Sequence, residues 1–215
     1  MSQNKTINIG PHSAQFKDLN VKGEQLKIGE ESFYKISNIN GMRPFFMSIV
    51  SHSNHWMFIS STGALSAGRK DSDVALFPYY TDDKITDSFE TTGSKSIFLV
   101  EKNGKTYLWE PFSLRQSSLY KISQNLYKNA LGNKVIFEEI NHDLEIRFTY
   151  EWNSTDHYGF VRKSSLYNIA ESAIKVQFID GIQNVLPYGI EEALQNSTSN
   201  LVDAYKRTEL VEGLR

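Results

Sequence analysis

The sequence predicts an all-β fold in which two antiparallel sheets pack face to face, accompanied by a few short helices. Apolar and polar residues alternate with period two over much of residues 32–181, and an Asn-Gly pair separates two β-rich runs. This alternation is typical of strands with one buried face and one solvent-exposed face. No helix-sized segment lies between consecutive runs, as parallel strands would need, so the sequence favours antiparallel sheets.

The first clear strands form a predicted hairpin. The run "SFYKISNI" (32–39) alternates, and "FFMSIVS" (45–51) is nearly all apolar, as expected of a strand covered on both faces. The run "HWMFISS" (55–61) follows after a short polar turn. We therefore expect residues 45–61 to form two paired strands.

The centre of the chain gives the strongest signal. In "SIFLVEKNGKTYLWEP" (96–111), Asn103 and Gly104 suit the positive φ angles of a tight hairpin turn. Three amphipathic runs follow (119–131, 133–153 and 157–169), and "AIKVQFIDG" (173–181) repeats the pattern. Residues expected to be mostly buried are Phe46, Ile49, Trp56, Phe58, Phe98, Leu108, Phe137, Phe148, Phe160 and Phe178.

The two ends differ from the centre. Residues 1–29 are polar and predict only short pieces of structure, whereas residues 189–210 carry acids early and bases late, as one or two short helices would. We read residues 1–215 as a single domain. The last residues, "AYKRTELVEGLR", run into a Glu-Gly turn where a return segment would begin. We therefore expect the chain to be the N-terminal part of a longer protein.

Composition narrows the classes of function. The chain has 215 residues with a formal net charge of −2 and no cysteine, so disulfides and cysteine-ligated zinc are excluded. The small net charge gives no field that favours nucleic acid. No apolar run reaches the roughly 20 residues of a membrane span, and the N-terminus lacks a signal-peptide pattern. We expect a cytoplasmic protein without a nucleic-acid partner, a membrane partner or a cofactor.

A loop over residues 61–84, "STGALSAGRKDSDVALFPYYTDDK", is charged and aromatic and lacks periodicity. Loops of this length are more often functional or disordered than simple connections. Aromatic rings suit the C–H faces of a sugar, and an Arg side chain holds carboxylates or paired hydroxyls in a fixed direction. We predict that this loop meets a sugar or a neighbouring domain through Arg69, Asp71, Asp73, Tyr79, Tyr80 and Asp82.

Patterns for catalysis and metal binding are weak. Phosphate-loop, dinucleotide and Gly-x-Ser-x-Gly patterns do not occur in the sequence. His52 and His55 have the spacing of two metal ligands, but no third ligand is indicated. Glu138 and Glu139 are neighbours on a strand, so they point to opposite faces and do not line one site. We therefore predict no catalytic residue and no metal ligand.

Three stretches resemble the N-terminal sandwich domain of the cellobiose and chitobiose phosphorylase family. The first is "GRKDSDVALFPYYTDDKI" following "HWMFISSTGALSA"; the others are "VQFIDGIQNVLPYGI" and "SNLVDAYKRTEL". The similarity spans roughly residues 45–210. The resemblance implies a β-supersandwich, similar to the galactose mutarotase fold, placed before a helical (α/α)₆ barrel that carries the catalytic acid and most of the phosphate site.

The same resemblance implies the partners. The sandwich would support the barrel domain of the same parent chain, contribute to homodimer contacts, and lend the loop to a carbohydrate site. The activity implied for the parent is that of a glycosidase or a glycoside phosphorylase, and the sandwich itself is non-catalytic.

An alternative function is a stand-alone sugar-binding or aldose mutarotase-like protein. A mutarotase needs a histidine and a carboxylate that converge in one cleft as acid and base. His142 and His157, with Glu138 or Glu151, are the residues that this function would use.

Overall fold

The structure is a computed structural model that describes residues 7–9, 12–14, 20–80 and 83–206. The strands are β1 Ile7–Ile9, β2 His12–Ala14, β3 Lys22–Ile28, β4 Glu31–Ser37, β5 Phe46–Ile49, β6 His55–Ser60, β7 Leu65–Arg69, β8 Gly93–Lys102, β9 Lys105–Trp109, β10 Ile122–Asn129, β11 Lys134–Asn141, β12 Ile146–Thr155, β13 Gly159–Asn168 and β14 Lys175–Gln183. The helices are α1 Asp83–Asp87 and α2 Glu192–Tyr205, and α2 is kinked at Thr198. In the part of the chain described, no helix is long and apolar enough to cross a membrane.

The predicted all-β fold is confirmed, and every strand pair is antiparallel. One layer is a six-stranded sheet in the order β13-β12-β11-β10-β4-β3. The other layer consists of two three-stranded sheets, β14-β8-β9 and β5-β6-β7, and β1 pairs with β2 in a separate ribbon. A single cluster of buried residues from both layers forms the core.

The six-stranded sheet has the faces that the alternation predicts. Ile146, Phe148, Tyr150 and Trp152 of β12 are all buried, and the residues between them are half-buried. The register places β11 residues opposite them, so that Phe137 pairs with Tyr150. The predicted hairpin turn is also present, because the backbone between β8 and β9 has positive φ angles at its Asn-Gly pair.

The core includes a carboxylate. Glu139 lies on the inner face of β11 and is only 2% exposed. Its two oxygens accept hydrogen bonds from the Trp109 indole at 2.9 Å, the Phe112 backbone N–H at 2.6 Å and the Gln124 amide at 2.7 Å. These bonds link the two layers and satisfy a charge that burial would otherwise penalise.

Four of the ten predicted core residues are buried, namely Ile49, Phe98, Phe137 and Phe148, and three are half-buried, namely Trp56, Phe58 and Phe160. The prediction is wrong for Phe46, Leu108 and Phe178, which are 43%, 49% and 64% exposed. Phe46 and Leu108 lie on the outer faces of β5 and β9, next to the buried residues Met47 and Trp109. Phe178 lies on β14, an edge strand that leaves its ring only partly covered.

Two strands of the main sheets fall where the sequence predicts little or no regular structure. Strand β3 extends the six-stranded sheet from within the polar N-terminal region, and β7 lies inside the predicted loop. In β7, Leu65, Ser66, Ala67 and Gly68 are all buried. Small residues buried on both faces give no polar alternation, so the periodicity analysis misses this strand.

Candidate functional site

The loop predicted over residues 61–84 folds back on its own first strand. After β7 the chain turns through a short 3₁₀ helix, and Ala75 forms an antiparallel bridge to Gly68. The backbone N–H of Leu76 then donates to the Ala67 carbonyl at 2.7 Å. Phe77, the next residue, is fully buried. The return segment therefore covers the outer edge of the β5-β6-β7 sheet.

Helix α2 and the segment before it hold this return segment in place. The Glu192 backbone N–H at the start of α2 donates to the Asp73 carboxylate at 3.1 Å, as in a helix cap. The Tyr79 N–H donates to the side chain of Gln195, which is buried, at 3.0 Å. The Leu186 N–H donates to the Leu76 carbonyl at 2.8 Å. The loop and the C-terminal segment thus form one hydrogen-bonded unit.

This unit carries large apolar side chains that solvent reaches. We call them the loop–helix surface: Val74, Leu76, Val185, Tyr188 and Leu194, all exposed and Tyr188 completely so. Clustered exposed apolar residues on a globular protein mark interaction sites more often than scattered ones do. The loop–helix surface is therefore a candidate contact for another domain or protein.

A row of aromatic rings lies on the outer face of the β5-β6-β7 sheet. We call Phe46, Phe58, Trp56 and Tyr79 the aromatic ridge; successive ring centroids are 5.4, 5.7 and 5.6 Å apart. The Trp56 indole N–H donates to the Asp71 carbonyl at 3.2 Å. Half-exposed rings of this kind present faces that suit the C–H face of a sugar or another apolar partner.

A cavity of about 300 Å³ lies on the inner side of β6 and β7, between these strands and β12–β13. Its walls are mainly apolar and aromatic. The residues that line it are His55, Met57, Ala67, Gly68, Arg69, Leu76, Phe77, Trp152, Tyr158, Phe160, Arg162 and Ile182. This volume is at the lower end of the range of small-molecule sites.

Two hydrogen-bond donors of the cavity lining lack a described partner. Trp152 is buried, yet its indole N–H bonds to no described group. An unsatisfied buried donor costs about 1–3 kcal/mol. Arg69 is exposed and forms no ion pair with any described residue. Among the side chains that the structure describes, no Asp or Glu lines the cavity.

The second cation of the lining is neutralised. Arg162 donates to both oxygens of Asp180, at 2.9 and 2.7 Å, and to the Ser94 hydroxyl at 2.8 Å. Burial by itself raises the pKa of Asp180, but the hydrogen bonds from Arg162 and Ser96 outweigh it and hold that pKa below its usual 3.8. Asp180 is therefore ionised at neutral pH, and Arg69 is the arginine of the lining that has no ion-pair partner among the described side chains.

The predicted site residues occupy three different places. Arg69 lines the cavity, Tyr79 belongs to the aromatic ridge, and Asp73 caps α2. The Asp71 carboxylate accepts from the Asp73 N–H at 3.2 Å, and the Tyr80 N–H donates to Ser66 at 3.4 Å. Asp82 lies outside the described residues. The sequence did not indicate the cavity or the ridge as such, although the alternation of Trp56 and Phe58 in "HWMFIS" was a usable signal for the ridge.

The residues of the mutarotase alternative lie apart. His142 precedes β12 and His157 follows it, so this ten-residue strand separates them. Glu138 is buried, and it accepts hydrogen bonds from Asn125 at 2.6 Å and Tyr127 at 2.8 Å. The hydrogen bonds and ion pairs found among described residues connect neither histidine to a glutamate.

The two histidines with metal-ligand spacing have different neighbours. His52 lies 3.5 Å from a carboxylate oxygen of Asp156, and His55 is 2.7 Å from the Ser53 hydroxyl. Across residues 7–9, 12–14, 20–80 and 83–206, no group of three or more metal-ligating side chains is found.

Comparison with known proteins does not assign a family. The sequence matches no protein-family model, and a search of curated proteins finds no match. The resemblance to the phosphorylase sandwich accordingly rests on the three stretches quoted from the sequence.

Proposed function

We propose that this chain is the N-terminal, non-catalytic sandwich domain of a larger carbohydrate-active enzyme of the glycoside phosphorylase or hydrolase type. In this role it supports a helical barrel domain of the same parent chain and presents its loop at the edge of the sugar site. The observation that carries the proposal is the loop–helix surface, in which the 69–80 segment and α2 form one unit with exposed apolar side chains.

The geometry of that unit fits a supporting role. Its backbone is fixed by bonds that cross more than 100 residues of sequence, such as Asp73 to Glu192 and Tyr79 to Gln195. A rigid unit loses little conformational freedom on binding, so it makes a better contact than a mobile loop. Exposed leucines such as Leu76 and Leu194 supply the apolar area that a neighbouring domain would bury.

The aromatic ridge supports the assignment to carbohydrate chemistry. It runs beside the loop, since Tyr79 belongs to both and Trp56 bonds to the Asp71 carbonyl. Pyranose rings stack on such aromatic faces, and the Asp71 carboxylate, which is exposed, is an acceptor for hydroxyl groups. Catalysis is assigned to the barrel and not to any residue of this chain.

The test uses the complete reading frame that encodes this chain and, separately, the 215-residue chain. Both proteins are assayed for phosphorolysis and hydrolysis of cellobiose and chitobiose. We expect activity in the longer protein and none in the 215-residue chain. A reading frame that ends at Arg215 would exclude the proposal.

Variants of the loop–helix surface test the supporting role. In the longer protein, Leu76→Asp with Leu194→Asp should reduce activity and lower the melting temperature, because burying each carboxylate unpaired in an apolar contact costs several kcal/mol. The same pair should leave the melting temperature of the 215-residue chain nearly unchanged. Leu131→Asp, an exposed leucine in the β10–β11 turn, is the matched control and should have no effect on either protein.

A further inference from the structure

We propose that the cavity between β6–β7 and β12–β13 binds a small ring carboxylate, that is, a six-membered ring that bears one carboxylate group. Nothing in this proposal depends on the function proposed above, because the cavity is complete within this chain and lies on the inner side of the β5-β6-β7 sheet.

The charge of the cavity selects an anion. Arg69 and Arg162 line the cavity. The charge of Arg162 is neutralised by Asp180, which accepts two hydrogen bonds from it. Arg69 has no ion-pair partner among the described side chains, and no described carboxylate lines the cavity. A ligand carboxylate would receive two parallel hydrogen bonds from the planar guanidinium of Arg69.

Trp152 contributes its ring to the cavity and not its indole N–H. The residue lines the cavity and is 4% exposed. Its indole nitrogen has no hydrogen-bond partner in the described part of the chain, but solvent does not reach that atom. A ligand in the cavity therefore packs against the ring of Trp152, and Arg69 supplies the polar contact.

The walls select the body of the ligand. Phe77, Phe160 and Trp152 contribute aromatic faces, and Met57 and Ala67 contribute aliphatic ones. A volume of about 300 Å³ admits a six-membered ring with its substituents. Two sources share this chemistry: an arenecarboxylate such as benzoate, and a hexuronate, whose C–H face would stack on the rings.

The test is calorimetric titration of the 215-residue chain with sodium benzoate and with sodium glucuronate, each up to about 10 mM. Benzamide and methyl glucoside serve as uncharged counterparts. We expect one of the two carboxylates to bind at least about tenfold more tightly than its counterpart, and the one that binds identifies the source. If neither carboxylate binds the unaltered chain, the proposal is wrong.

Variants locate the site. Arg69→Gln removes the charge from an exposed position, so the fold should persist while affinity falls by about tenfold or more. Arg43→Gln, an exposed arginine outside the cavity, is the matched control. Equal losses in Arg43→Gln and Arg69→Gln would show that binding occurs elsewhere, and would also overturn the proposal.

Discussion

An ion pair joins the two layers at one edge of the sandwich. Arg162 of β13 and Asp180 of β14 belong to different sheets, and the Ser96 hydroxyl of β8 also donates to Asp180 at 2.6 Å. Both side chains are mostly buried, so each carries a desolvation penalty that the pairing offsets. Loss of one partner leaves an uncompensated charge at this edge.

The Asp180 pair predicts a specific dependence of stability on pH. The folded-state pKa of Asp180 lies below its usual 3.8, so its contribution is fully present above that value and is lost as the pH falls through the folded-state pKa. We expect Asp180→Asn to be less stable than the unaltered chain at pH 7, and the difference to shrink below about pH 4. Urea unfolding at a series of pH values measures both effects.

The control for this prediction is Asp156→Asn. Asp156 is an exposed aspartate in the turn after β12, and its contact with His52 is mostly open to solvent. It should change stability little at any pH, as surface pairs generally do. A difference between Asp180→Asn and the unaltered chain that stays constant down to pH 2 would contradict the assignment.

At the residue scale, the sequence predicts side-chain faces better than side-chain partners. Alternation correctly places Glu139 on the same face as Val135 and Phe137, and all three are buried. It does not predict that the Trp109 indole meets Glu139, because that contact joins strands 30 positions apart. The residues of the predicted site are also separated in the fold. Arg69 lies on β7 and faces inward, whereas Asp71, two positions later, lies in the turn.

At the element scale, the strands with polar faces are the ones that the sequence identifies well. Strands β10, β11 and β13 fall within the predicted runs, and β12 and β14 overlap them and end two residues later, because each alternates apolar with polar residues. The inner and outer faces of β5 and β9 are harder to assign from the sequence, since apolar residues occur at both odd and even positions of these strands. Phe46 and Met47 are equally apolar, and only the packing of the second layer decides which of them is buried.

Gly68 provides a test of how β7 holds the loop. A Cβ atom at Gly68 would lie 2.6 Å from Cζ2 of Trp56, 2.6 Å from the Val74 carbonyl oxygen and 2.8 Å from the Ala75 Cα. Two of these atoms are backbone, so the loop must move to admit a methyl group. We expect Gly68→Ala to destabilise the chain by roughly 1–3 kcal/mol and to change the fluorescence of Trp56.

The matched control is Gly181→Ala. Gly181 also lies within a strand, β14, but a Cβ atom there would have nothing within 4 Å. Replacement of an unstrained glycine by alanine reduces the entropy of the unfolded chain, so its effect should be neutral or slightly stabilising. Equal destabilisation in both variants would indicate a loss of strand flexibility in general rather than a clash beneath the loop.

At the scale of the whole molecule, three sheets share one core. The buried cluster contains Met57 from one three-stranded sheet, Phe98 from the other and Phe148 from the six-stranded sheet. The sequence predicts two layers but not that one of them is divided, because the break between β7 and β8 depends on which edges pair. Because the three sheets share a core, we expect them to unfold cooperatively, and this expectation can be measured.

Phe98 packs against aromatic rings of both layers. Its ring centroid is 5.3 Å from that of Trp109, 5.2 Å from that of Phe148 and 6.0 Å from that of Phe178, and it is 2% exposed. Phe98→Ala removes a buried ring and leaves a cavity between the layers, so it should cost about 3–5 kcal/mol. Phe178→Ala, on the exposed edge strand, should cost about 1 kcal/mol or less.

Two probes decide whether the sheets unfold together. Far-ultraviolet circular dichroism reports on all strands, whereas tryptophan fluorescence reports on Trp56, Trp109 and Trp152, which lie in different sheets. Because the core is continuous, we expect both probes to give the same denaturant midpoint in Phe98→Ala, shifted from that of the unaltered chain. Separate midpoints for the two probes would mean that the three sheets do not unfold as one cooperative unit.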